Sequence, residues 1–173
     1  MTLATLEASG STFTLRRAVA ADLDGLVALI AADALRAAEF GSTEADLAGY
    51  RNAFAAIDGD PAQLLVAVDD AHGRLVGTMQ LTLIPGLSRG GATRMQVEAV
   101  RVAESARGLG VGTAMLEWAI AHARQRGARL VQLTSDARRE DAHRFYERLG
   151  FAATHVGFKQ YLDRPAPRSG PQG

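Results

Sequence analysis

Residues Arg107-Gly108-Leu109-Gly110-Val111-Gly112-Thr113 set three glycines at alternate positions behind one arginine. They lie between an extended stretch, 95–102, and an amphipathic helical pattern that begins near Gly110. Glycine permits positive φ and close backbone approach, so several N–H groups can converge on an anion at the positive end of a helix dipole. Arg107 adds a fixed cationic fork, and the chemistry suggested is phosphate binding by backbone amides.

The spacing narrows the ligand. No Gly-Lys-Ser/Thr follows the turn, and Gly108-x-Gly110-x-Gly112 lacks the GxGxxG interval of dinucleotide folds. The pattern that fits is Arg-x-x-Gly-x-Gly, at Arg107, Gly110 and Gly112, with a strand before it and a helix after it. Alone it also fits a plain glycine-rich turn. A second block follows at residues 141–151, Asp-Ala-His-Arg-Phe-Tyr-Glu-Arg-Leu-Gly-Phe, separated from the first by a strand of suitable length. Together, over about 70 residues, the two resemble the acyl-CoA loop and the Phe-Tyr helix of the GNAT acetyltransferase superfamily. A weaker likeness to its aminoalkylphosphonate acetyltransferase branch rests on residues 139–146 and Thr154-His155.

The resemblance implies an α+β fold: a mostly antiparallel sheet of six or seven strands, splayed between the fourth and fifth, with helices on both faces. It implies acetyl-CoA as co-substrate and an amine as acceptor. The thioester carbonyl maps to the N–H of Val100, and the pantetheine arm to Arg101 and Val102. The pyrophosphate maps to Arg107, Gly108, Leu109, Gly110, Val111, Gly112 and Thr113. Acyl transfer to an amine needs a neutral nucleophile, a polarised carbonyl and a proton for the departing thiolate. Glu98 stands where the family carries an acid, as general base directly or through water; otherwise it binds the ammonium or pairs with a neighbour such as Arg94. Tyr146 stands where a phenol protonates the thiolate. Arg139 replaces the usual Asn, which leaves it either without that contact or turned toward a phosphate. His143 and His155 are candidates for the acceptor pocket. The alternatives are an acyl-CoA sensor without turnover and transfer to a peptide or protein amine.

These groups need a scaffold. Strands are predicted at 13–17, 63–68, 77–84 and 93–102, then at Leu130, Val131 and Leu133, and last at 151–156 and 158–162. Helices are predicted at 22–35 behind Asp22, at 42–57 behind Ser42 or Thr43, at 111–126 with Val111, Met115, Trp118 and Ala119 on one stripe, and at 139–149. In strand 93–102 the apolar alternation skips phase between Ala99 and Val100, which reads as a β-bulge near Ala99 or as a strand buried on both faces.

With 173 residues the chain suits one domain, expected over 13–163, with flexible ends at 1–12 and 164–173. Lys+Arg and Asp+Glu are both 19, so the long-range field that collects nucleic acid or anionic membrane is absent. The absence of cysteine excludes disulfides and thiolate chemistry, and no spacing suggests a metal. Neither an export signal nor a membrane span is seen, so a cytoplasmic protein is expected, with a homodimer suggested by the open sheet edges of the family's fold.

Overall fold

Aliphatic side chains at every second position along 63–69 and 75–84 commit the middle of the chain to strands, since alternate residues of a strand point to opposite faces. The computed structural model describes residues 1–32 and 43–162. Its sheet has six strands in the order β1 (Thr2–Ala8), β2 (Ser11–Arg17), β3 (Gln63–Asp69), β4 (Leu75–Ile84), β5 (Arg94–Val102) and β6 (Leu130–Leu133). All neighbours are antiparallel except β5 and β6, which are parallel. The chain divides into two compact units, Met1–Ser135 and Asp136–Gly173, where the sequence reading has one domain over 13–163.

In the first unit, α1 (Leu23–Ala31) and α2 (Glu44–Gly59) cover one face of the sheet, where Leu26 and Phe54 meet Ala18 and Ala67. Thr43 caps α2 through a reciprocal box with Asp46. Asp22, expected to cap α1, instead accepts from the Val19 N–H and holds Arg16. Arg16 sits between Asp22, at 2.7 and 2.9 Å, and Asp69, at 2.5 and 3.1 Å, tying β2 to the start of α1 and the end of β3. The far ends of the predicted helices, at 33–35 and 42, lie outside the described residues.

The opposite face holds the larger core. There, after a single turn, α3 (Ser88–Gly91), α4 (Val111–Gln125) presents Val111, Met115, Leu116, Ala119 and Ala123, all buried, toward the sheet. The Met115 sulfur packs so close to Gly77 that a Cβ built there would lie 3.1 Å from it. Trp118 is not part of this stripe: it is half-buried and stacks on His122 at 4.8 Å. Burial, and then the charge of Arg126, hold the His122 imidazole below its ordinary pKa.

Two expectations fail. Residues 1–12, read as flexible, contribute β1, because Ser9 and Gly10 both take positive φ (49° and 75°) and make a two-residue hairpin turn. The predicted strands at 151–156 and 158–162 do not form. Beyond Phe151 the described residues are exposed and carry one backbone hydrogen bond, Thr154 N–H to the Ala152 carbonyl at 3.0 Å. Strands need a ladder partner, and a lone hairpin is marginal in water. The tail at 164–173 lies outside the described residues.

Candidate active site

The phase skip read from the sequence is a bulge. Gln80 faces Glu98 and Thr78 faces Arg101, so one residue of β4, Met79, opposes two of β5, Ala99 and Val100. Ala99 takes φ 51°, a left-handed conformation uncommon for a residue with a Cβ and one that functional sites retain. Beyond it Arg101 donates through Nη1 to the Val100 carbonyl at 2.8 Å. The β5–β6 ladder ends at Val97↔Leu133, while β5 runs on to Val102. That is where the expected splay falls, between the fourth and fifth strands of the sequence reading: from Glu98 to Val102, β5 has no neighbouring strand on its β6 side among the described residues.

After β5 the chain tightens. Ala103 N–H bonds the Val76 carbonyl at 2.8 Å, and a 3₁₀ turn, Glu104–Ala106, buries Ala106. Arg107 is exposed and donates through Nε to the Val102 carbonyl at 3.4 Å. Gly108 and Gly110 have φ of 76° and 78°, and Gly110 is the N-cap of α4. No side chain caps this helix and no acid stands in its first turn. The first N–H groups of a helix have no intrahelical acceptor, so the start of α4 combines unpaired donors with the positive end of the dipole. The predicted cradle, Arg107 to Thr113, and the strand residues Glu98, Val100, Arg101 and Val102 thus follow one another along a single connection in the first unit.

Glu98 is exposed, and among the described residues it makes no ion pair or hydrogen bond, with Arg94 or otherwise. The proposed pairing of those two is therefore absent.

Tyr146 and Arg139 belong to the second unit. Its helix α5 (Glu140–Arg148) ends in a Schellman motif: Gly150 (φ 86°) donates to the Glu147 carbonyl at 2.9 Å and Phe151 to that of Tyr146 at 3.1 Å. The motif's hydrophobic contact is Phe151 on Tyr146, edge to face with ring centroids 6.0 Å apart, and the Phe145 ring lies tilted at 5.3 Å from that of Tyr146. The Gly-Phe pair noticed in the sequence thus fixes the Tyr146 ring. Arg139 is the N-cap residue, in a cleft of about 360 Å³ shared with Arg138 and Arg144. Arg138 pairs with Asp136 and holds its carboxyl well below the usual range, while Arg144 pairs with Asp141 and Glu140. His143 Nε2 meets the Asp136 carbonyl at 2.9 Å and His155 Nδ1 meets Thr154 Oγ1 at 2.7 Å.

One group escaped the sequence reading. Gln63, Thr82, Gln96 and Gln132 form a cross-strand row from β3 to β6, adjoining Glu98. Their period-two placement inside apolar strands was the available signal.

Comparison with known proteins agrees with this geometry. Residues 29–151 match the model of the acetyltransferase (GNAT) family. The aminoalkylphosphonate N-acetyltransferase of Salmonella typhimurium is 32% identical over 148 residues, 86% of this chain and 90% of that protein. The glucosamine 6-phosphate N-acetyltransferase of Trypanosoma brucei brucei is 38% identical over 81 residues, 47% of this chain and 53% of that protein. Among solved structures, a transcriptional regulator from Bacillus halodurans C-125 superposes with TM-score 0.82 at 37% identity, covering 87% of this chain and 99% of that one.

Proposed function

The chain belongs to the acetyltransferase (GNAT) family of acetyl-CoA-dependent acyltransferases, and on that premise we propose that it moves an acetyl group from acetyl-CoA directly to the primary amine of a small molecule. The observation that carries the reading is the start of α4, left without a capping side chain or an acid and entered through two left-handed glycines beside the free edge of β5.

When bound, acetyl-CoA supplies an activated acyl group and a thiolate leaving group. The pyrophosphate meets backbone N–H groups from Arg107 to Thr113, with the Arg107 guanidinium alongside. Arg101 and Val102, on the free length of β5, offer backbone groups to the pantetheine amides. The bulge turns the Val100 N–H out of the β4 ladder to polarise the thioester carbonyl. Glu98 takes a proton from the acceptor ammonium, directly or through water, and the amine lone pair then forms the C–N bond as the C–S bond breaks. Tyr146 gives its proton to the thiolate, the newly acylated nitrogen sheds its second proton to the phenolate so formed, and Arg139 serves a phosphate oxygen. No covalent enzyme intermediate is needed, because holding both substrates together removes much of the barrier.

A second reading, an acyl-CoA sensor, has one specific support: a 37% identical solved structure is described as a transcriptional regulator. Measuring CoA thiol release from acetyl-CoA with a panel of amino sugars, aminoalkylphosphonates, polyamines, amino acids and short peptides separates the two. Release with one class supports the transferase; acetyl-CoA binding with silence across the panel supports the sensor.

A further inference from the structure

Two neighbouring rows cross the same four strands with opposite chemistry. One runs Leu64, Leu81, Val97, Leu133 and is aliphatic throughout; the next, one residue away, is Gln63, Thr82, Gln96, Gln132. Alternation puts them on opposite faces. The aliphatic row belongs to the core under α4. The polar row shares its face with Ala67 and Leu65, against which α1 and α2 pack, and its members are half-buried.

Half-buried amides are costly unless bonded, and these are knitted together. Gln80 Nε2 and Thr82 Oγ1 donate to Gln63 Oε1 at 2.7 and 3.0 Å, and Gln132 Nε2 donates to Gln96 Oε1 at 2.7 Å. An amide has two N–H donors and one carbonyl. The side-chain N–H groups of Gln63 and Gln96 and the side-chain carbonyls of Gln80 and Gln132 therefore have no partner among the described residues. Donors and acceptors alternate across the strip, which suits hydroxyl groups.

Two charges bracket that strip on β5. Glu98 lies two residues beyond Gln96, at the bulge, and Arg94 two residues before it, with no β-bulge among the three. Arg94 is half-buried, and a Cβ on Gly86 would lie 3.6 Å from its Nη1. Among the described residues Arg94 has neither an ion pair nor a hydrogen-bonding partner. A cation, a hydrogen-bonding row and a carboxylate thus follow one another on one face over ~13 Å of strand.

We propose that this strip is the acceptor subsite and that it selects a hydroxylated primary amine bearing an oxyanion, phosphate or carboxylate, at the end remote from the amine. This rests on the transferase reading for the role of Glu98. The ammonium faces Glu98, the hydroxyls exchange hydrogen bonds with the glutamine row, and the oxyanion is held by Arg94.

The test compares glucosamine 6-phosphate, glucosamine and 2-aminoethylphosphonate as acceptors, with acetyl-CoA affinity measured separately by calorimetry. Wild-type protein should show a KM for glucosamine 6-phosphate at least about 10-fold below that for glucosamine. Arg94→Gln should raise the first KM roughly 10- to 100-fold more than the second, and Arg94→Lys should recover part of the difference. Gln96→Leu should raise KM for both sugars more than for 2-aminoethylphosphonate. Equal KM values for the two sugars in wild type, or no selective effect of Arg94→Gln, overturns the proposal. If acetyl-CoA binds but no amine releases thiol, the transferase reading fails. The subsite is then supported by Arg94-dependent binding of glucosamine 6-phosphate in calorimetry and overturned by its absence.

Discussion

Gly110→Ala separates strain from binding. The residue has φ 78°, and a Cβ there meets only Ala8 Cβ at 3.7 Å and Ser9 Oγ at 3.9 Å, ordinary contacts. The cost is therefore conformational. A left-handed alanine costs about 1–2 kcal/mol, and the stiffer unfolded chain returns about 0.4–1 kcal/mol, leaving a net loss near 1 kcal/mol. For a protein of this size that is a fall in Tm of about 2–4 °C. Gly127→Ala is the matched control: φ is 74°, nothing lies within 4 Å of the added Cβ, and the residue sits just past the other end of α4. Both variants should lose the same stability. Only Gly110→Ala should lose acetyl-CoA affinity, roughly 10- to 100-fold, because relaxing φ turns an N–H away from the pyrophosphate. Differential scanning fluorimetry gives the first number and isothermal titration calorimetry the second. Equal acetyl-CoA affinity in the two variants would refute the cradle.

Three further outcomes follow from the same geometry. Glu98→Gln keeps the shape of the side chain but cannot take a proton; kcat should fall about 10²- to 10⁴-fold in a steady-state assay while acetyl-CoA affinity holds. Tyr146→Phe should lower turnover by about one to three orders of magnitude without moving acetyl-CoA affinity, since the ring keeps its contacts with Phe145 and Phe151; unchanged turnover removes it from the mechanism. The Arg16 hydrogen bond lowers the Asp22 pKa from its ordinary 3.8, so this contribution to stability is complete above that value and lost as pH falls through the depressed one. Arg16→Gln should destabilise by about 2–3 kcal/mol at pH 7, below the full value for a buried pair because Arg16 is 22% exposed, and the deficit should narrow on acidification below about pH 4 as the Asp22 carboxylate protonates, read from Tm against pH.

What was legible in the sequence is what local physics decides. The bulge was readable because a period-two pattern cannot skip phase without an extra residue, and Ala99 supplies it. The start of α4 was readable because glycines at 108 and 110 permit the positive φ with which the chain enters the helix. Ser9-Gly10 carried the same kind of information, a turn dipeptide behind Leu3, Ala4 and Leu6, but a terminal position argues for fraying, and residues 1–12 read as flexible. The strands expected after Phe151 failed for the opposite reason: strand-forming residues such as Phe151, Val156, Phe158 and Tyr161 are a local signal, whereas pairing needs a distant partner. Trp118 was assigned to the core by helical spacing, but Leu116 and Ala123 fill the place beneath the sheet. The glutamine row was half legible: polar residues at alternate positions show within each strand, but the register between strands, which brings Gln63, Gln96 and Gln132 into line, is not written within any one of them.

The helix starts themselves argue for where function lies. Thr43 caps α2 with Asp46, and Glu44 adds a second acid in its first turn; α5 begins with Glu140 and Asp141. Both place negative charge where the dipole favours it. At α4, the longer and more deeply buried of the two helices that begin after β5, the chain offers neither a capping side chain nor an acid. A cap there is ordinarily worth about 1 kcal/mol, and one substitution at residue 110 would provide it, but a cap's oxygen would occupy the N–H groups and its residue would have to leave the left-handed region. The missing cap and the positive φ are therefore one feature. Both leave the first N–H groups of α4 without a side-chain acceptor, and on the proposed reading an anion bound there would stabilise the fold as it binds.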